Sequence, residues 1–201
     1  MGAGKGLFWA VCIVCFCGSR GYCSGVVRYG TGSREIATGR SAPRNDAARI
    51  IEIARKEIGV VERTGKNDGA RIAEYIAYCN IKSPAPYCAA WVSWCFGQAG
   101  YLQPRTAWSP ALFPKERLVI DSSHALNDKK RNDENLRGCV AGIYFSSLKR
   151  VAHCGIVEAV RNDWCTLIEG NTNVKGSRDG DGVWRRIRHK RTIHCFADWV
   201  K

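Results

Sequence analysis

Cys88, His153, Glu169 and Asn171 are the residue types of nucleophilic acyl transfer: a thiol, a base to take its proton, and polar groups able to hold that base. Cys88 follows Pro84-Ala85-Pro86-Tyr87, where the prolines keep the approach extended. Beyond it, Trp91, Val92, Cys95, Phe96 and Ala99 form the i, i+3, i+4, i+7 stripe of a buried helix. The sulfur is therefore expected in the first turn of a core helix, where free backbone N–H groups and the dipole favour a thiolate. Those N–H groups are also placed to receive the oxyanion of a tetrahedral intermediate. Tyr87 is a candidate hydroxyl donor to the same oxyanion or a positioning residue, with simple packing as its plainer role.

The base must come from His124, His153, His189 or His194. His153 lies in a strand-like run with Gly155, Val157 and Ala159 on its face, and Glu169 and Asn171 share a face if the next strand extends that far. Register decides whether these faces coincide. With Arg161-Asn162-Asp163 as a three-residue loop, Gly155 pairs with Glu169 and His153 with Asn171, so the polar side chains project together. A regular two-residue loop would turn His153 to the opposite face. Asn or Asp suits the left-handed residue that a three-residue loop requires. On that register Glu169 or Asn171 holds the second ring nitrogen of His153 and fixes its tautomer.

The elements that must position these groups follow in order. Lys5, the apolar run Leu7 to Phe16 and the small residues after it fit a signal peptide over 1–23, and the run is short for a bilayer span. A lipoprotein signal is the alternative, although the residues before Cys17 and Cys23 match that pattern poorly. Residues 24–43, rich in Gly, Ser, Thr and Arg, are expected to form a flexible linker. A folded domain is expected over 44–201, opening with a helix capped by Asn45 that carries Ile50, Ile51, Ala54 and Ile58 and ends at Gly59. A second helix places Ile72, Tyr75, Ile76 and Cys79 inward, and the Cys88 helix is the third. After a loop-rich stretch with one short strand near Leu118 to Ile120, four strands are expected: Val140 to Phe145, His153 to Val160, Trp164 to Ile168 and Val183 to Arg188. Helices first and antiparallel strands after them make an α+β order.

The chain of 201 residues is 45% hydrophobic and 24% charged, enough for one domain with a real core rather than a disordered chain. Its net charge of +13 makes a polyanion a plausible partner without choosing among nucleic acid, an anionic membrane and a wall polymer. Of eleven cysteines, seven lie beyond the N-terminal segment, and buried thiols are the expected state for most. Outside the apolar run no pair has the close spacing of a zinc site, and adjacent strand residues such as His153 and Cys154 diverge.

Three segments together, Pro86-Tyr87-Cys88-Ala89-Ala90-Trp91-Val92-Ser93-Trp94-Cys95-Phe96, Ala152-His153-Cys154-Gly155-Ile156-Val157 and Ile168-Glu169-Gly170-Asn171-Thr172, resemble the CHAP amidase/endopeptidase domains of the papain-like NlpC/P60 group. The resemblance covers roughly Asn45 to Trp199. It implies a papain-like α+β fold with N-terminal helices packed on a C-terminal antiparallel sheet. It also implies Cys88 as nucleophile, His153 as base, and Glu169 and Asn171 as orienting residues, with no cofactor and no metal. The activity it implies is cleavage of an amide bond in cell-wall peptide, as peptidoglycan endopeptidase or N-acetylmuramoyl-L-alanine amidase. Many relatives carry an acidic residue where Cys139 follows Gly138 here.

The expectation is thus an exported hydrolase, acting as a monomer in the periplasm, cell envelope or outside the cell, or lipid-anchored there. Its partner is peptidoglycan or muropeptides, without nucleic acid and without a stable membrane span in the mature chain. Two other readings attach to the basic run Val183 to Arg191: an inactive module that grips wall peptide or another polyanion, and a nucleic-acid binder. No helix-turn-helix or zinc-finger spacing supports the latter. The plainer reading of that run is a solvated edge strand protected by its charges.

Overall fold

The computed structural model of the chain describes residues 43–120, 133–173 and 180–200. The expected signal peptide, the linker up to residue 42 and His124 lie outside the described residues.

Helix α1 spans Pro43–Lys56 and starts at Pro43 rather than after Asn45, since proline's fixed φ suits a first helical turn. Ile50, Ile51 and Ala54 are buried along its inner face. Gly59, at φ 91°, takes the left-handed conformation after the last turn, as expected of a helix-ending glycine. Helix α2, Ala70–Tyr78, buries Ile72, Tyr75 and Ile76, while Cys79 caps it and is only partly covered. Helix α3 spans Cys88–Gln98 and is buried on every side from Cys88 to Phe96, well beyond the expected stripe. The cause is its place in the packing, because α3 touches α1, α2 and the sheet.

The sheet is antiparallel, in the order β1-β6-β2-β3-β4-β5, with β1 Leu118–Ile120, β2 Val140–Phe145, β3 Arg150–Arg161, β4 Trp164–Thr172, β5 Gly182–His189 and β6 Cys195–Ala197. β3 and β4 run further than the pattern of branched residues suggested, and β5 is an edge, as expected. β6 was not foreseen: a strand of three residues carries no periodic signal, yet it fills the place between β1 and β2. Alternation along the strands gives the sheet two apolar faces. Val140, Cys154, Ile156 and Ile168 join the helices in one core, whereas Ala141, Ile143, Val157 and Leu167 form a second cluster with Phe196. The fold is α+β.

The helices are tied by a buried acid. Glu57, just past α1, accepts two hydrogen bonds from Arg71 of α2, at 2.8 and 2.7 Å, and a short one from the Tyr75 hydroxyl. Arg71 in turn lies 4.5 Å above the Trp94 ring of α3. Burial opposes ionisation of Glu57, but the Arg71 and Tyr75 hydrogen bonds outweigh it and hold its pKa below the ordinary value. Removing one partner of such a pair leaves the other unsatisfied. Replacing Glu57 with alanine is expected to cost about 2 kcal/mol in urea unfolding, below the loss for a fully buried pair because the Arg71 side chain is 41% exposed.

Candidate active site

Cys88 is the first residue of α3 and is 6% exposed. One turn on, Trp91 sits directly on β4: a Cβ on Gly170 would come 2.8 Å from Trp91 Cγ. Bare backbone at Gly170 therefore lets the helix settle on the sheet and fixes the height of its N-terminus. The Trp91 N–H donates to the Tyr87 carbonyl at 2.7 Å, whereas those of Cys88, Ala89 and Ala90 precede any intrahelical acceptor and lie beside the sulfur. Ser109, opening a short 3-10 turn over Ser109–Leu112, brings its hydroxyl 3.4 Å from Cys88 Sγ.

The β3–β4 hairpin reaches the anticipated register by a different route. Arg161 pairs with Trp164, so the loop is the two-residue Asn162-Asp163 rather than a three-residue one, with Asn162 left-handed at φ 54°. Alone, this would put His153 on the wrong face. A bulge between Val157 and Ala159 corrects the slip, and Val157 then pairs with Leu167 and Ile156 with Ile168. Continuing that register brings Gly155 opposite Glu169. The extra residue is Glu158, whose carboxylate is held by Arg55 of α1 at 2.6 Å and Arg185 of β5 at 2.9 Å. A second irregularity, between β2 and β3 at Ile143/Tyr144, leaves Ala152 as the extra residue immediately before His153. Bulges of this kind re-aim side chains beside them.

His153 is 1% exposed, and its Nε2 lies 2.8 Å from Glu169 Oε2. Glu169 is fully buried and also accepts from Arg188 of β5, whose Nη2 is 2.7 Å from Oε2. The Glu169 side chain crosses Gly155, where an added Cβ would fall 2.6 Å from its Cγ. The order of the chain is thus Arg188, Glu169, His153, Cys88. Of the two expected orienting residues only Glu169 touches the ring. Asn171 does not pair with His153, because β4 becomes irregular between Glu169 and Thr172 and Asn171 adopts φ 55°. Its buried side chain lines the cleft instead, with Oδ1 lacking a hydrogen-bond partner.

The charges follow from these contacts. Burial opposes the ionisation of Glu169, but the Arg188 and His153 hydrogen bonds overcome it and hold its pKa at about 2. Burial likewise opposes the imidazolium, yet Cys88 and Glu169 raise His153 to about 9. The Cys88 thiol is held well below its ordinary value, first by a hydrogen bond from Cys154, with burial opposing, and then by His153 and Ser109. Cys154, by contrast, is pushed well up by burial, so it stays a thiol and donates. Nδ1 of His153 has no aligned hydrogen-bond partner. The sulfur and the ring nevertheless shift each other's ionisation, Cys88 raising His153 and His153 lowering Cys88.

Cys88, Ser109, Ala152 and Asn171 open onto a cleft of about 320 Å³ whose walls include Ile81, Pro86, Trp108 and Arg150. Tyr87 is not among these lining residues. Its ring is fully buried, 6.2 Å from that of Tyr75, and burial followed by Glu62 raises its hydroxyl pKa. It packs in the core, the plainer of its two expected roles, and its hydroxyl does not reach the cleft as a donor. The basic run is also corrected in part: Arg185 and Arg188 are committed to buried carboxylates, so β5 is not simply a solvated edge. Cys154, expected to diverge from His153 into the core, is buried in the helix-side core, yet its thiol meets Cys88 as His153 does. Ser109, Arg188, Trp108 and Arg150 are not distinguished by the sequence, although Arg188 lies within the basic run. Among the described residues no His, Cys, Asp or Glu cluster is arranged for a metal, and no helix is long and apolar enough to cross a membrane. Cys79, Cys88, Cys95 and Cys154 form no disulfide.

No protein-family model matches the chain, and no curated protein matches it. Solved structures similar to it include that of Ly7917 with the hydrolyzing product of MDP, at 15% identity and a TM-score of 0.40, covering 75% of this chain and 61% of that one. A structure of Ly7917 alone matches at 15% identity and 0.37, covering 75% and 60%. This chain therefore spans about three-fifths of the length of either.

Two outcomes test the site. The thiolate–imidazolium pair exists above the lowered pKa of Cys88 and below about 9 for His153. Iodoacetamide at pH 6 should therefore modify Cys88 ahead of the buried Cys95 and Cys154, as read by peptide mass mapping, with the rate changing as pH rises through about 9. Replacing Gly155 with alanine should displace Glu169 from the ring and slow that pH 6 alkylation about tenfold, the loss of one charge-assisted hydrogen bond.

Proposed function

We propose that the chain is a cysteine hydrolase of papain-like design that cleaves an amide bond of peptidoglycan peptides. The observation that carries this reading is the buried His153, held by the ionised Glu169 and facing a thiol of lowered pKa at a helix N-terminus. A merely structural histidine has no need of a buried carboxylate braced by an arginine. The substrate class is supported by the resemblance of the Cys88, His153 and Glu169-Gly170-Asn171 segments to CHAP domains.

In the proposed reaction the Cys88 thiolate attacks the carbonyl carbon of the scissile amide. The resulting oxyanion accepts hydrogen bonds from the N–H groups of the first α3 turn. The Nδ1 proton of His153 passes to the leaving nitrogen, the C–N bond breaks, and a thioester remains. His153 then takes a proton from water as the water attacks the thioester, and protonated His153 and free thiolate are restored as the carboxylic acid departs. Glu169 keeps Nε2 protonated throughout, and Arg188 keeps Glu169 ionised. The cleft residue Asn171 is assigned to substrate positioning.

Muropeptide digestion analysed by mass spectrometry is the direct test. Wild-type protein should release peptide fragments whose masses identify the bond cut, whether endopeptidase or amidase, and Cys88→Ala should lose turnover by at least about 10³-fold while keeping its fold. Undiminished cleavage by that variant would refute the assignment. Export belongs to the same proposal and rests on residues 1–23: fused to a reporter active only outside the cytoplasm, they should confer activity, and a silent fusion would remove it.

A further inference from the structure

Arg150 opens β3 on the wall of the cleft that holds Cys88. Its guanidinium lies 4.2 Å from the centroid of the Trp108 ring, and its Nη1 donates to the Val151 carbonyl at 3.1 Å. These contacts hold the head group while leaving most of its N–H donors unused. Lys149, left-handed at φ 51°, makes the turn that delivers Arg150 to this position.

Four other arginines of the fold differ from it in one respect. Arg188 is matched by Glu169, Arg55 and Arg185 by Glu158, and Arg71 by Glu57. Arg150 has no carboxylate partner among the described residues. A guanidinium fixed on an aromatic face, inside a cleft and without a counter-ion, is complementary to a planar anion, which it can grip with two parallel hydrogen bonds. Trp108, 54% exposed, leaves enough of its surface open to bear on the same substrate.

We infer that Arg150, braced on Trp108, is a specificity-determining residue that receives a free carboxylate of the peptide whose scissile carbonyl lies at Cys88. This rests on the hydrolase reading above and deepens it: the substrate is an acidic peptide, with its carboxylate within one cleft width of the cut bond.

The test uses binding, so that it is separate from turnover. Two synthetic stem peptides, alike except for a carboxylate or a carboxamide beside the scissile amide, are titrated calorimetrically into the Cys88→Ala variant. The carboxylate peptide should bind about tenfold or more tightly, the scale of one charge-assisted pair. Adding Arg150→Ala should shrink that ratio below about twofold, Arg150→Lys should leave an intermediate one, and Trp108→Leu should reduce it by loosening the guanidinium. Equal binding of the two peptides, no binding of either, or a preference that survives Arg150→Ala overturns the inference. Failure of the hydrolase reading would show elsewhere, as wild-type protein that binds the carboxylate peptide selectively yet never cuts it.

Discussion

Everything at this site depends on keeping one carboxylate ionised where no water reaches it. Glu169 is fully buried, and an isolated carboxylate there would take up a proton rather than remain charged. Arg188 on one side and His153 on the other offset that desolvation. Once Glu169 is charged, the imidazolium becomes favourable, and once the imidazolium is present the Cys88 thiolate does too. The ionisation of the sulfur is thus set from the far edge of the sheet, three side chains away. Cys154 and Ser109 add local hydrogen bonds, so the anion does not rest on His153 alone.

That electrostatic chain imposes strict geometry on the hairpin. Glu169 and His153 meet only if β3 and β4 hold one register near the site, and the two-residue turn at Asn162-Asp163 imposes another. The bulge at Glu158 reconciles them. An extra residue in a strand weakens its ladder, and here the Glu158 carboxylate gains Arg55 and Arg185 as partners, tying the bulge to α1 and to β5. Gly155 and Gly170, on successive sides of the hairpin, remove the side chains that would block Glu169 and Trp91. The bulge and Gly155 thus serve the contact between ring and carboxylate, while Gly170 seats the Cys88 helix above it.

The helices, the strand β2, the edge position of β5 and the grouping of Cys88, His153 and Glu169 were legible in the residues. Each rests on a local pattern: an apolar stripe, a run of branched residues, a proline-led approach to a helix. What was not legible depends on long-range packing. The three residues of β6 pair only because β1 and β2 leave a gap between them. Asn171 was expected beside the ring, but one left-handed residue takes it out of the ladder and into the cleft. Tyr87 looked like a donor because it adjoins Cys88 in sequence, whereas the start of α3 turns its ring into the core. The hairpin register was anticipated with the wrong loop, since periodicity reports which residues share a face and says nothing of where an extra residue is absorbed.

The strongly basic composition takes on a different meaning once its arginines are located. Charge that looked available for a polyanion is in part internal: Glu57, Glu158 and Glu169 are each buried and each bound by arginine. A buried acid with one or two arginines is a means of fixing elements in place, here α1 to α2, the β3 bulge to its neighbours, and β5 to the site. Pairs of this kind contribute orientation more than net stability, because desolvation consumes much of the attraction. Arg150 departs from that pattern, having an aromatic platform in place of an acid. A cation that the fold orders but does not neutralise, set on the wall of the cleft beside the sulfur, leaves its electrostatic requirement to be met by whatever enters there.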